Sequence, residues 1–192
     1  QRIFWISLQA RRIRHRRFAS PAAKFWLSDF RPKSGYRHPK AMQRQLLDLL
    51  ELVAGREFPT PAALQIAIPE AHRAAAAAFL PAGPRYVALA PGSGGRPKCW
   101  PLERFIAIAE SLVAAGAVPV FLIGPQETEW AAKIFARLPA AMLPLQNPAL
   151  SQRFGFDPRM TIALSERMSA AVSNDSGITH MLAIGGAPLV AL

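Results

Sequence analysis

Between residues 85 and 192, short apolar runs alternate with stretches of helical periodicity, and this alternation limits the fold more than any other feature. Residues 86–90 (Tyr-Val-Ala-Leu-Ala), 118–123 (Val-Pro-Val-Phe-Leu-Ile) and 170–173 (Ala-Ala-Val-Ser) read as strands. Each is followed by a loop and then by a helical pattern, over 102–115, 127–138 and 176–184. In the first of these helices Phe105, Ile108, Ala109, Leu112 and Val113 share one face. Residues 142–145 read as a further short strand, 161–168 as a short helix and 189–192 as a last buried strand. Strands that alternate with helices through short turns give βαβ units around a parallel sheet. The expected fold class is therefore α/β, a Rossmann-like doubly wound sheet whose ligands sit at the carboxyl ends of the strands.

The segment before residue 85 is less regular. Residues 39–54 read as a helix, with Met42, Leu46, Leu49, Leu50 and Val53 at helical spacing and Gly55 as its stop. Residues 70–80 read as an alanine-rich helix. Within 1–40, the stretches 4–8 and 23–27 read as short strands, because aromatic and apolar residues cluster there. Pro81-Ala-Gly-Pro84 breaks the pattern, so three parts are expected: a first domain over 1–80, a linker over 81–84 and a second domain over 85–192. The chain opens on Gln1 and its last apolar run reads as interrupted, so it is expected to be a piece of a longer protein.

Charge is concentrated at one end. The chain carries +11, and residues 1–40 hold eleven Lys and Arg against one acid, Asp29, for +10. The remaining 152 residues are close to neutral, which argues against a basic nucleic-acid-binding fold there. Phe4, Trp5, Phe18, Phe25, Trp26 and Phe30 lie among the arginines, so a nucleic-acid or membrane-surface binder acting through 1–40 is a competing reading. The single cysteine, Cys99, excludes an intramolecular disulfide and a multi-cysteine zinc site, and fits a reducing, cytosolic compartment. None of the four histidines stands at a metal-ligand spacing. The longest apolar runs fall well short of the roughly 18–20 residues of a membrane span. Residues 1–10 are apolar and precede arginines, the reverse of a signal peptide's charge order.

The informative residues lie in the three loops that follow strands. The first, Pro91-Gly-Ser-Gly-Gly-Arg-Pro-Lys-Cys-Trp-Pro101, offers main-chain N–H groups at its glycines, the hydroxyl of Ser93 and the charges of Arg96 and Lys98. That set suits a diphosphate, although a flexible turn with incidental charges gives the same string. The loop is neither a Walker A sequence nor Gly-x-Gly-x-x-Gly. The second, 124–129, places Glu127 and Glu129 where an acid can bind a ribose diol, or simply start a helix. The third, Asn174-Asp-Ser-Gly-Ile-Thr-His180, can cap a helix through Ser176 or Asp175 and turn the amides of Ser176, Gly177 and Ile178 toward an anion. Asp175 would then accept from sugar hydroxyls, since a carboxylate beside phosphate repels. His180 reads as a packed histidine with one hydrogen bond, and Cys99 as inert.

Taken together, Ala90-Pro-Gly-Ser-Gly-Gly, then Lys98-Cys-Trp-Pro101 before a helix, then Asn174-Asp-Ser-Gly-x-x-His180 and Gly185-Gly-Ala-Pro188 resemble the lipopolysaccharide heptosyltransferases, glycosyltransferase family 9. The resemblance covers 85–192 and extends more weakly over 39–80. It implies a GT-B architecture of two Rossmann-like domains, the C-terminal one binding a nucleotide-sugar donor and the N-terminal one a glycolipid acceptor. It implies inverting transfer of a sugar, heptose on ADP being the family's best-known donor, with no metal or other cofactor. Ser93 and Gly94 would then contact the diphosphate, Lys98 would neutralise it, and Glu127 would contact the ribose, with Glu129 as the lesser choice. Asp175, Ser176 and Gly177 would hold the sugar and phosphate. The family's catalytic base would lie upstream of Gln1, so that this piece binds donor without turning over. Peripheral attachment to the cytoplasmic face of the inner membrane follows from the same resemblance, and no nucleic-acid partner does. A non-catalytic nucleotide-binding module is the remaining alternative.

Overall fold

The computed structural model describes residues 2–59, 66–95, 97 and 99–192. They form two compact units, Gln1–Ala63 and Leu64–Leu192.

The second unit is built on four parallel strands, β1 (Tyr86–Ala90), β2 (Val118–Phe121), β3 (Ala170–Ser173) and β4 (Leu189–Ala191), in the order β2-β1-β3-β4. The register pairs Leu89 with Phe121 and with Val172, and Val172 with Val190. Alternation along the strands divides the core into two layers. Tyr86, Ala88, Ala90, Val120, Leu122 and Ala171 face one layer, while Leu89, Phe121 and Ile123 face the other. Helix α4 (Glu70–Phe79) and helices α8 (Pro158–Ser165) and α9 (Gly177–Ile184) supply Ala76, Met160, Leu164 and Leu182 to the first layer. Helices α5 (Leu102–Ala114) and α6 (Trp130–Arg137) supply Phe105, Ile106, Ala109, Trp130 and Ile134 to the second. A sheet buried on both faces is what near-continuous apolar strands require.

Strands β1 and β3 fall where the sequence places them, and the helices of this unit agree within a few residues. Three differences have physical reasons. Residues 142–145 do not make a strand: Met142 forms a single bridge to Val120, and Pro144–Gln146 turns into a 3₁₀ helix because Pro144 has no N–H to extend a ladder. Helix α7 (Pro148–Phe154), unforeseen, starts on Asn147, whose side chain accepts from the Ala149 N–H. Strand β4 is an exposed edge rather than a buried strand, with Val190 58% exposed.

Helix α4 belongs with the second unit. Its Ala76 and the following Leu80 are fully buried with Met160 and Leu164, and Arg73 makes a two-armed ion pair with Glu166 of the α8 C-cap at 2.9 and 3.0 Å. The compact division thus falls at Ala63/Leu64 and not at the 81–84 linker.

The described part of the first unit is helical: α1 (Arg2–Ala10), α2 (Ala22–Phe25) and α3 (Met42–Ala54). The stretches 4–8 and 23–27 are therefore not strands. A strand needs a neighbour for its backbone groups, whereas a helix satisfies its own, and no strand occurs among the described residues of this unit. Helix α3 ends as expected on Gly55, at φ +67°. Its stripe of Met42, Leu46, Leu50 and Val53 is exposed.

Candidate functional site

The strand order locates the site before any side chain is considered. From β1 the chain runs to β2 on one side of the sheet and later returns to β3 on the other. Between β1 and β3 the connections diverge, which opens a crevice at the carboxyl ends of these strands. The three loops singled out in the sequence leave β1, β2 and β3 at that end, and they enclose a cavity of about 260 Å³.

The first loop contributes Gly92, Ser93 and Gly94 to the lining, the second contributes Gly124 and Glu127, and the third contributes Ser176, Gly177 and Ile178. Ser93, Gly94, Glu127, Ser176 and Gly177 of the expected set are therefore brought together. Lys98 and its neighbour Arg96 lie outside the described residues. Asp175 is exposed and does not line the cavity, although it adjoins Ser176, which does.

The two candidate acids of the second loop are placed differently. Glu127 is buried, at 7% exposure, and lines the cavity, with its carboxylate against Gly92 and Gly124. Glu129 is exposed at the start of α6 and does not line it. A turn from the Glu127 N–H to the Gly124 carbonyl directs the Glu127 side chain inward, and the Gly124 N–H donates to its Oε2 at 3.2 Å. Two neighbours without side chains leave room for the carboxylate in this position. A Cβ on Gly92 would stand 3.0 Å from Glu127 Cδ, and one on Gly124 would stand 2.9 Å from Oε2.

The third loop ends in the first turn of α9, with Ser176 as the N-cap residue. The Thr179 hydroxyl accepts from the Ser176 N–H at 3.1 Å and donates to the Asn174 carbonyl at 2.6 Å. This corrects one expectation: the Ser176 amide is engaged within the turn. The amides of Gly177 and Ile178, which have no acceptor inside the helix, remain to face the cavity at the positive end of the helix dipole. His180 is exposed, not packed. Cys99 is half-buried, its Sγ 3.7 Å from the Gly95 carbonyl. Among the described residues no group of three or more His, Cys, Asp or Glu could hold a metal ion.

A cavity at the switch point, walled by main-chain amides, hydroxyls and one carboxylate, is suited to an anionic ligand that also carries a diol. The sequence profile of glycosyltransferase family 9 (heptosyltransferase) matches residues 8–192.

The chain belongs to glycosyltransferase family 9.

No curated protein matches the sequence. Among solved structures, a family 9 glycosyl transferase from Veillonella parvula aligns with a TM-score of 0.64 and 24% identity, over 81% of this chain and 45% of its own. The E. coli ADP-heptose lps heptosyltransferase II aligns with a TM-score of 0.55 and 22% identity, over 70% and 41%. The E. coli heptosyltransferase WaaC with ADP-2-deoxy-2-fluoro heptose aligns with a TM-score of 0.52 and 19% identity, over 81% and 46%. This chain thus spans less than half the length of each. The likeness concerns the fold, and the family 9 chain has the α/β fold of the GT-B type. No helix among the described residues is long and apolar enough to cross a membrane.

Sequence reasoning passed over Gly92 and Gly124 as the walls of Glu127, and over Asn174 and Thr179 as the frame of the third loop. For the glycines a signal existed in Pro91-Gly92 and Gly124-Pro125, each at the end of an apolar run. What was missing was the contact between loops some thirty residues apart.

Proposed function

We propose that this family 9 chain binds the nucleotide part of a nucleoside-diphosphate sugar in the cavity at the β1/β3 switch point. The whole protein, in this reading, is an inverting glycosyltransferase that moves a sugar, heptose on ADP foremost, to a lipopolysaccharide-type acceptor. One observation carries it: the loops after β1, β2 and β3 converge on one cavity and bring amides, hydroxyls and the Glu127 carboxylate to its wall. Support also comes from the family's heptosyltransferase description and from a similar fold solved with ADP-2-deoxy-2-fluoro heptose.

The roles follow from chemistry. In the transfer, an acceptor hydroxyl gives up its proton to a general base of the whole protein and attacks the anomeric carbon, while the bond from that carbon to the diphosphate oxygen breaks on the opposite face, which inverts the configuration. Negative charge grows on the departing diphosphate. The amides of Gly94, Gly177 and Ile178, the Ser93 hydroxyl and the α9 dipole stabilise that charge without rearrangement, and Lys98 supplies a neutralising cation. The Glu127 carboxylate accepts from the ribose diol. The cavity, at about 260 Å³, is smaller than most ligand sites, which run from roughly 300 to 1,000 Å³. It therefore takes part of the donor and leaves the sugar outside, where Asp175 accepts from its hydroxyls. No metal is assigned to this chemistry. Donor binding belongs to this chain and transfer to the whole protein.

The basic, aromatic surface of the first unit is assigned to an anionic membrane surface bearing the glycolipid, at the cytoplasmic face of the inner membrane. Trp5, Ile6, Ile13 and Trp26 are all more than half exposed beside the exposed Arg11, Arg12, Arg14, Arg16 and Arg17.

Calorimetric titration with ADP, UDP, GDP and ADP-heptose tests the donor reading. Selective binding of ADP and ADP-heptose is expected. Binding of UDP or GDP in preference would move the assignment to another donor, and no binding to any of the four would end it.

A further inference from the structure

The roles above leave the buried side chain of Asn174 without a part in holding the ligand. Asn174 follows β3 directly and is 2% exposed. Its main chain is held on both sides: its N–H donates to the Ala90 carbonyl at 3.2 Å, and its own carbonyl accepts from the Thr179 hydroxyl at 2.6 Å. The side chain crosses to the first loop. There Nδ2 donates to the Pro91 carbonyl at 2.6 Å, and Oδ1 accepts from the Trp100 N–H at 3.0 Å. These partners fix the orientation of the amide, since a carbonyl only accepts and an amide N–H only donates. They also stand at the two ends of the glycine loop. One planar group, carrying one donor and one acceptor, ties its entrance to its exit.

We propose that Asn174 is a positioning residue that closes the base of the glycine loop and so holds Ser93 and Gly94 in register with Gly177 and Ile178 across the cavity. The loop itself is glycine-rich and loses much freedom when ordered. Inside it, the Gly95 N–H bonds back to the Ser93 carbonyl at 2.7 Å, a local turn that does not bind the loop to the sheet. Asn174 makes that attachment, and its own backbone is set by the residues that form the start of α9. The two anion-facing loops are thereby one rigid frame. No other side chain fits the task at this size: Asp offers two acceptors, Leu none, and Gln is one methylene too long.

The proposal deepens the donor reading and rests on it for its ligand, while the loop closure is tested with no ligand present. In Asn174→Asp, one oxygen still accepts from Trp100, but the other faces the Pro91 carbonyl where a donor stood. The two repel until the carboxyl takes a proton, and burial beside a carbonyl raises the pH at which it does so. Amide hydrogen exchange is measured at the amides of residues 92–95, 99 and 100 in the unliganded full chain, as protection factors, and ADP affinity by calorimetry. At about pH 8, Asn174→Asp is expected to lose about tenfold in loop protection and about tenfold in ADP affinity, the size of one buried hydrogen bond. Protection over α5 and β2 is expected to stay at the wild-type level. Near pH 5 both losses are expected to shrink toward wild type, measured at the same pH, as the protonated carboxyl again donates to Pro91. Asn174→Ala is expected to show both losses with no recovery on acidification. Wild-type loop protection in both variants would overturn the proposal. So would a loosened loop with unchanged ADP affinity, or a loss spread evenly over the whole second unit with no recovery at low pH. If wild type binds no ADP while the exchange results hold, the donor reading fails and the loop closure stands.

Discussion

Glu127 owes its position to two residues that lack side chains. Gly92 and Gly124 come from different loops, and a Cβ on either would press on the carboxylate at about the limit of contact. Gly92→Ala is therefore expected to act through Glu127, since the added methyl displaces the carboxylate from the cavity wall. Titration with ADP should show about a tenfold loss for Gly92→Ala and a similar loss for Glu127→Ala, in line with one charged hydrogen bond. The double variant should lose no more than either single one, because both remove the same contact. Additive losses would mean that Gly92 serves the ligand directly. Asp175 makes a separate prediction. Exposed beside the cavity, it is expected to touch the sugar and not the nucleotide. Asp175→Ala should lower transfer by the whole protein by at least about tenfold while leaving ADP affinity within about twofold, because a contact made only to the sugar contributes nothing to free ADP. Wild-type transfer rates would remove Asp175 from the site. By local pattern Glu127 and Glu129 were both candidate acids at the start of one helix, and only the family resemblance put Glu127 first. What separates them is a glycine 35 positions upstream, a contact that no local pattern encodes.

Contacts between elements show the same limit. Helices α8 and α9 approach so closely at Gly185 that a Cβ there would stand 1.5 Å from Ser165 Oγ, 2.8 Å from Ser165 Cβ and 2.9 Å from the Ile162 carbonyl. Gly185 has ordinary helical angles, φ −74° and ψ 0°, so the need for glycine is steric. Gly185→Ala is expected to lower the unfolding free energy by about 1–3 kcal/mol, the usual range for overpacking, read from the shift in a urea midpoint. Removing the hydroxyl with Ser165→Ala should restore only part, because the Ser165 Cβ and the Ile162 carbonyl still obstruct. Helices α4 and α8 are joined by polar groups as well as by the apolar packing of Ala76 against Met160 and Leu164. The His72 Nε2 stands 3.1 Å from Asp157 Oδ2, and Asp157 also accepts from the side chain and the N–H of Arg159. The Arg159 guanidinium is the main reason that the Asp157 carboxyl is held well below its ordinary value of 3.8, with the N–H of Arg159 and His72 acting in the same direction and partial burial opposing them. A depressed folded-state value means that the carboxylate's stabilisation is complete above pH 3.8 and is lost as pH falls below it. Asp157→Asn keeps an N-cap acceptor and removes the charge. Its stability deficit relative to wild type is expected to be present at about pH 4 and above and to close at lower pH. A deficit that persists unchanged in acid would show that the charge contributes nothing. The sequence indicated strands β1 and β3 and helices α5, α6 and α8 because their apolar periodicity is strong. It did not indicate α1, α2 or α7, where aromatic clusters, prolines and caps compete and tertiary contacts decide.

Charge separates the two units of the chain as clearly as fold does. The sheet-bearing unit is close to neutral and presents amides to a small anion. The first forty residues carry +10, and their arginines from Arg11 to Arg17 are exposed together with Trp5, Ile6, Ile13 and Trp26. Exposed indoles and branched aliphatics cost solvation in water, and arginines beside them repel one another. An anionic bilayer relieves both, because its interface accepts amphipathic rings and its charge draws basic groups at about 1 kcal/mol each. Nucleic acid would satisfy the charges and could stack on the tryptophans, but it leaves Ile6 and Ile13 in water. The sign of the segment was legible in the sequence. Its secondary structure was not, because, of the aromatics that suggested strands, Phe4, Trp5 and Phe25 lie on helices and Trp26 in a turn. Sedimentation with vesicles of anionic phospholipid is expected to bring the chain down at low salt, with neutral vesicles leaving it in solution and raised salt releasing it. Trp5→Ala with Trp26→Ala should weaken vesicle binding by about tenfold or more, given about 1.5–3 kcal/mol for each buried large side chain. The same pair should leave ADP titration unchanged, because neither tryptophan lines the nucleotide cavity. Tight, salt-dependent binding to RNA with none to anionic vesicles would reverse the assignment, and would mean that this surface reads phosphate on a strand and not on a membrane.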